Sequence, residues 1–234
     1  MKKQVLSLLL VAGLVLTSSL SLLAQDNEAF DNGFSLKLLY TSGNAGFSNM
    51  TDYNINNGPG LIDPTWVKNN PGFGLKIGSM FFLNGIKIHE KMRIGLDATY
   101  MGFNYISSEM RVGPNQTFNM HNVYFNPEFG PSFSFSPADK MSIDVAFKAS
   151  LVIDVNFGSY SYDVGNTNFS DTYVGVGIGF RYGPAIYYRY KPFLVGIQYN
   201  MGNVKQNIAS ENSVSSFENK TQFGTTDFII GFKF

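Results

Sequence analysis

The sequence contains no cysteine. That excludes disulfides, thiolate metal sites, thiol nucleophiles and an N-terminal lipidated cysteine. Charge is scarce: Asp, Glu, Lys and Arg make up 15% of the 234 residues, against about 25% in an average soluble domain. Basic and acidic residues balance at 17 each, so the chain carries no electrostatic footprint for nucleic acid. Only two histidines and one tryptophan are present. Beyond the first 24 residues no run is apolar enough for a transmembrane helix. Abundance lies elsewhere, in 22 Phe, 13 Tyr and 24 Gly. An aromatic-rich, glycine-rich, charge-poor chain points to β-structure in an apolar setting.

The N-terminus reads as a targeting segment. Lys2 and Lys3 precede an apolar run from Val5 to Leu16, and Ala24 precedes Gln25. A basic start, an apolar stretch and a small residue at the junction make a secretory signal. The expected division is a signal peptide over 1–24 and one domain over 25–234. Removing the signal takes away two lysines and leaves a slight acidic excess. An exported chain without cysteine fits a bacterial envelope.

The rest of the chain alternates with period two. From Met141 to Phe157 the odd positions are all apolar, while the even positions are mostly small or charged, with Asp144, Lys148 and Asp154 among them. A strand separates such residues cleanly; a helix scatters them. The same pattern recurs over Phe34–Tyr40, Phe73–Leu83, Met92–Tyr100, Val123–Phe135, Val174–Tyr182, Phe193–Tyr199 and Phe228–Phe234, which makes eight strands. Pro127 and Pro131 each remove a ladder donor, so a bulge or broken pairing is expected there. The connections alternate between long, over about 42–71, 106–121, 158–170 and 203–221, and short, at Asn84–Lys91, Ser136–Lys140 and Tyr190-Lys191. Short turns on one rim and long loops on the other is the arrangement of outer-membrane barrels. The apolar face is nearly unbroken, and the other face is rich in glycine, as the narrow interior of an eight-stranded barrel requires. Tyr100 and Tyr105 crowd one set of strand ends, and Tyr182, Tyr187, Tyr188, Tyr190 and Phe193 the other, like interfacial girdles. The expected fold is all-β: an eight-stranded antiparallel up-and-down transmembrane β-barrel, with short periplasmic turns and long extracellular loops.

The chain ends with Phe228, Ile230, Phe232 and Phe234 on one face. This resembles the C-terminal signal of outer-membrane β-barrel proteins. The resemblance implies that the barrel-assembly machinery reads this strand during insertion into outer-membrane lipid. Gly231 stands near, though not at, the position where that signal usually carries a glycine. The mature chain as a whole resembles small barrels of the OmpX/OmpA type. Its Asn-rich loops and Ala24-Gln25 junction also resemble the Bacteroidetes outer-membrane β-barrel domain proteins often labelled PorT-like. That second likeness implies a secretion or assembly complex as a further role.

Nine charges fall on the inward face: Lys76, Arg93, Asp97, Glu128, Asp144, Lys148, Asp154, Arg181 and Asp227. A tight Ser136–Lys140 turn pairs Phe135 with Met141, which sets Glu128 opposite Lys148 and Phe129 opposite Phe147. These charges form either a gate or a self-neutralising packed core; the narrow lumen favours the core. Catalytic, cofactor and metal residues are not assigned. His121 could meet Ser107 or Ser108 at the base of a loop, but no nucleophile motif surrounds them, and the other histidine, His89, lies in a turn. Asp52, Asp63, Asp163 and Asp171 lack the dense spacing of a calcium loop. The Gly175, Gly177, Gly179 run lies mid-strand with no helix after it, so it is no phosphate loop; as the weakest-filled stretch of wall it is where a pore would open. The expected role is structural or surface-loop binding over a filled lumen. The alternatives are a small pore or carrier of apolar molecules, or the secretion-complex subunit.

Overall fold

A strand with one apolar and one polar face needs a neighbour on both edges, and a closed ring supplies them without leaving an edge. The computed structural model describes residues 28–44, 49–54, 58–62, 66–111, 116–164, 167–210 and 215–234. The expected signal segment and its cleavage point lie outside these residues. The strands are β1 Gly33–Asn44, β2 Asn49–Asn54, β3 Gly58–Ile62, β4 Trp66–Asn69, β5 Gly72–His89, β6 Met92–Arg111, β7 Gln116–Phe125, β8 Glu128–Phe135, β9 Met141–Val164, β10 Thr167–Tyr190, β11 Phe193–Ser210 and β12 Ser215–Lys233. The ring runs β1, β5, β6, β7 with β8, β9, β10, β11, β12, and closes where β12 pairs with β1. Every pairing is antiparallel. β7 and β8 are one wall strand broken at Asn126-Pro127, since both pair with β6 and β9. The ring therefore has eight wall strands and up-and-down topology.

The faces are inverted relative to a protein that folds in water. Ile178, Ile230 and Phe129 on the outside are each 63% exposed, while Lys76, Asp144 and Asp227 inside are fully buried. Such a wall is stable only where the surrounding solvent is hydrocarbon, and closure satisfies its backbone there.

The long loops expected from the sequence are instead strands. β6 and β7 continue to Arg111 and resume at Gln116; β9 and β10 do so at Val164 and Thr167; β11 and β12 at Ser210 and Ser215. The first connection holds β2, β3 and β4, with β2 laid on the upper half of β12 and β3 on β2. A bulge hid one of these extensions. Ile77 pairs with Met101 but Gly78 pairs with Thr99, so Tyr100 is an extra residue. Inward positions are odd below it (Asp97, Thr99) and even above it (Asn104, Ile106, Met110). The change of parity ends the alternation in the sequence while the strand continues.

The β8–β9 register also differs from the expected one. Glu128 pairs with Ser150 and Phe129 with Ala149. The connection is longer than a tight turn: Lys140 takes a left-handed backbone (φ 67°), Met141 N–H bonds to the Ala138 carbonyl at 3.1 Å, and Phe135 pairs with Ile143. A shift of two keeps every face but changes the partners, so Phe129 faces Ala149 and not Phe147; Phe147 instead has an aromatic neighbour on its other side, Tyr182 of β10, with ring centroids 6.2 Å apart. The expected disturbance at the prolines is present. Gly130 and Pro131 drop out of the ladder to β9, and at Asn126-Pro127 the strand itself is interrupted. Tyr187, expected in an outer girdle, is fully buried, because it shares inward parity on β10 with Arg181 and Arg189.

Gly183 marks where two wall strands touch. A Cβ there would stand 1.7 Å from the Tyr199 carbonyl oxygen, whereas one at Gly224 would have 3.9 Å to its nearest neighbour. Gly183→Ala is expected to lower stability by about 3 kcal/mol, read as the urea midpoint of the barrel refolded in vesicles. Gly224→Ala should leave the midpoint in place. Equal midpoints for both would show that the strands are not so closely apposed.

Candidate functional site

The lumen is layered, and its centre is a carboxylate. Glu128 enters from β8 just after the Pro127 break. Its Oε1 takes Lys76 Nζ at 3.0 Å and Arg181 Nη2 at 2.5 Å, and its Oε2 takes Lys148 Nζ at 3.2 Å. The amides of Asn126 (3.0 Å) and Gln198 (3.3 Å) donate to it as well. Lys76 continues to Asp227 at 3.2 Å, and Lys148 to Asp97 at 3.3 Å. Lys37 adds a further contact to Asp97 at 3.5 Å and lies 4.7 Å over the Tyr187 ring. Asp227 is held from the other side by the Thr41 hydroxyl at 2.7 Å. Charges this deep are tolerable only when each meets opposite charge and hydrogen bonds. One network from all eight wall strands provides them.

Apolar tiers lie on both sides. Below the Glu128 network sit Leu39, Ala146, Ala185, Tyr187, Leu194 and Ile229, and above it Ile106, Tyr124, Val152, Val204 and Phe223. Higher still is an amide tier. Asp154 there accepts from Asn156 at 3.2 Å and from the Gln206 amide, and Gln206 also reaches Asn122 at 3.2 Å. Met110, Phe118, Met120, Tyr173 and Ile208 close the top.

The short-turn mouth is closed by the start of the described chain. A 3-10 turn, Glu28–Phe30, inserts Ala29 and Phe30, both buried, and Phe30 packs on Phe82 with ring centroids 5.5 Å apart. Arg189 forms a two-point pair with Asp144 and also donates to the Ala29 carbonyl at 3.0 Å. Lys233 Nζ donates to the Asp31 carbonyl at 2.5 Å. Arg93 lies 5.0 Å over the Phe30 ring and bonds the His89 carbonyl at 2.7 Å.

The nine charges named from the sequence thus fall in three tiers. Lys76, Asp97, Glu128, Lys148, Arg181 and Asp227 share the centre, Asp144 and Arg93 stand at the mouth, and Asp154 stands alone above. Sequence reasoning missed Lys37, Arg189 and Lys233. All three lie on the polar parity of their strands and are buried, but the aromatics flanking Arg189 and Lys233 give those stretches the look of an outward girdle. Gly175 and Gly177 are no gap in the wall. A Cβ at Gly175 would stand 2.4 Å from Asn156 Oδ1, and one at Gly177 would stand 2.8 Å from Gln206 and Val204. The glycines make room for the amide tier.

His121 stands directly opposite Ser107 across the β6–β7 ladder, but its side chain bonds elsewhere. Its Nδ1 is 2.7 Å from the Tyr105 hydroxyl, and its ring stacks on Phe157 on the outer wall. The Ser107 hydroxyl instead accepts from Asn70 at 3.1 Å. Of the aspartates considered for calcium, Asp63 lies outside the described residues.

No family model and no curated protein matches the sequence. Solved structures of similar shape include the outer membrane protease OmpT from Escherichia coli, at 12% identity over 87% of this chain and 96% of that one, with a TM-score of 0.46. The attachment invasion locus protein Ail of Yersinia pestis is 12% identical over 87% and 99%, with a TM-score of 0.29. The outer membrane protein OprG from Pseudomonas aeruginosa is 10% identical over 87% and 96%, with a TM-score of 0.34. Likeness at this level assigns no activity to this chain.

Glu128→Gln would leave Lys76, Lys148 and Arg181 facing each other around a neutral amide. It is expected to cost about 3–5 kcal/mol in urea unfolding from vesicles. Adding Arg181→Met should recover part of that loss, giving a coupling well outside additivity. Additive losses would mean that the two groups do not share one network.

Proposed function

We propose that this chain is an integral outer-membrane protein that acts through the surface of its projecting rim, as a binding element or scaffold, and not through its lumen. The observation that carries this reading is the filled, charge-paired lumen with a closed mouth. Two further features support it. Crossing a bilayer at a tilt takes about 9–11 residues of strand, yet β9 and β10 are each 24 residues long. Most of the excess rises on the long-loop side, where β2 and β3 widen the sheet beyond the ring. A paired β-platform holds its backbone in a fixed arrangement, and pre-organisation of that kind lowers the cost of binding. The resemblance to PorT-like barrels makes a secretion or assembly protein the first partner to seek, ahead of a host or surface molecule. The last strand fits the reading in which assembly machinery engages the C-terminus. Phe228, Ile230, Phe232 and Phe234 all face outward, and the first three pair with Tyr40, Leu38 and Leu36 at the closing seam.

Refolded in planar bilayers, the protein should give no steady ion current; well-defined channels abolished by lumen substitutions would overturn the closed-lumen reading. Phe147→Arg on the outer wall should lower stability in vesicles by about 2–4 kcal/mol, and no loss would argue against lipid on that face. A pull-down from native outer membranes in mild detergent tests the rim. A stoichiometric partner lost on deleting residues 49–62, with the barrel still folded, is the expected result. Recovery of the barrel alone with either chain would reject a stable rim complex.

A further inference from the structure

Asp154 is the exception among the deep charges. It is fully buried, yet it joins none of the ion pairs among the described residues. The cations of the central network are engaged by Asp97, Glu128 and Asp227, and the tier of Tyr124 and Phe223 lies between them and Asp154. A carboxylate away from water needs opposite charge, and hydrogen bonds on both oxygens. Asp154 Oδ2 has two amide donors, Asn156 and Gln206. Its Oδ1 accepts no hydrogen bond from the protein.

That carboxylate orients the amides around it. An amide side chain donates at one end and accepts at the other. Asn156 turns its NH2 to Asp154, which leaves its oxygen facing away. Gln206 gives its NH2 to Asp154, and to Asn122 at 3.2 Å. The Gln206 oxygen then takes the Asn219 NH2, and the Thr221 hydroxyl at 3.1 Å, so the Asn219 oxygen is turned away in its turn. Flipping Asn156, Gln206 or Asn219 would set oxygen against oxygen. The layer is left with a surplus of acceptors. Asp154 Oδ1, Asn156 Oδ1 and Asn219 Oδ1 have no donor, against one unmet amide donor in the same layer, Asn122 Nδ2. All four residues are fully buried.

We propose that this layer is a binding site for one monovalent alkali cation, held by Asp154 Oδ1 and the surplus amide oxygens around it. Charge selects the ligand. Water would give the oxygens donors but leave the carboxylate charge uncompensated. One positive charge balances one carboxylate. A divalent ion would leave the layer charged, and calcium draws on several carboxylates, whereas no three Asp, Glu, His or Cys stand together among the described residues. Ligands that are all oxygen suit a hard ion over a transition metal. The site is separate from the rim, so it stands or falls independently of rim binding.

Met110, Phe118 and Tyr173 close the lumen above the layer, so the ion has to enter as the barrel forms. The mature chain is therefore refolded into phosphatidylcholine vesicles in the chloride of sodium, potassium, rubidium or the bulky N-methylglucamine, at equal ionic strength, and its urea midpoint is read. An alkali chloride should raise the midpoint in proportion to the logarithm of its concentration, while N-methylglucamine should not. Asp154→Asn keeps the shape and removes the charge, and should unfold at one midpoint in every salt. Asn156→Leu keeps the charge and removes an oxygen, and should raise the alkali concentration needed by about tenfold. Crystals of protein refolded in rubidium should show an anomalous peak beside Asp154 that Asp154→Asn lacks. One midpoint for the wild type in all four salts, or the same rise in Asp154→Asn, overturns the site. A carboxylic-acid infrared band that Asp154→Asn removes, in protein indifferent to alkali ions, overturns it in favour of a proton on Asp154. Stabilisation by calcium at concentrations where alkali ions do nothing overturns the monovalent assignment.

Discussion

Glu128 gathers two lysines and an arginine in a space without bulk water, and the wall around it depends on that contact. An eight-stranded ring leaves room for side chains and little else. Polar groups turned inward must find partners there or unfold the wall. The Pro127 break aims Glu128 from β8, and the cations arrive from β5, β9 and β10. The hub therefore ties together strands that are not neighbours, which ladder hydrogen bonds do not do. Apolar tiers above and below isolate it, so the lumen is a stack of small cores with one ionic layer at mid-height.

The alternation made the architecture readable. In Met141–Phe157 the residues on the wrong side of the pattern were few, and period two assigned both faces before any pairing was known. The inward charges followed from the same parity. Where the pattern failed, the cause was local geometry that parity does not encode. The extra residue at Tyr100 inverted the faces of β6, and the extension beyond it looked like loop. The longer turn through Lys140 displaced the β8–β9 register by two, and a shift by an even number leaves no trace in alternation. Glu128 and Lys148 nevertheless meet, because a lysine is long enough to reach across one diagonal. Side-chain length rescued a contact whose backbone basis was wrong.

Tyr187 and Arg189 show a different limit. Aromatics near strand ends suggest an interfacial girdle, and Tyr188 and Tyr190 fit it. Tyr187 lies between them in sequence but on the other face, where it covers Lys37 and helps separate the ionic layer from the mouth. The glycines of β10 likewise resemble thin wall in the sequence alone. They are the negative image of Asn156, Gln206 and Val204, which belong to neighbouring strands and cannot be seen from β10 alone.

The mouth joins the two ends of the described chain. Ala29, Phe30 and Asp31 are held by Arg189 and Lys233, and the Phe234 amide bonds the Phe34 carbonyl at 2.8 Å. The residues nearest the start of the barrel thus have their binding site made by its last strands. The segment precedes every wall strand in the chain, yet it can be seated only after β12 has met β1. Closure of the mouth therefore reports on closure of the wall. An incomplete barrel would display an unpaired edge and a loose N-terminal segment together, two marks by which quality control could tell it from a finished one.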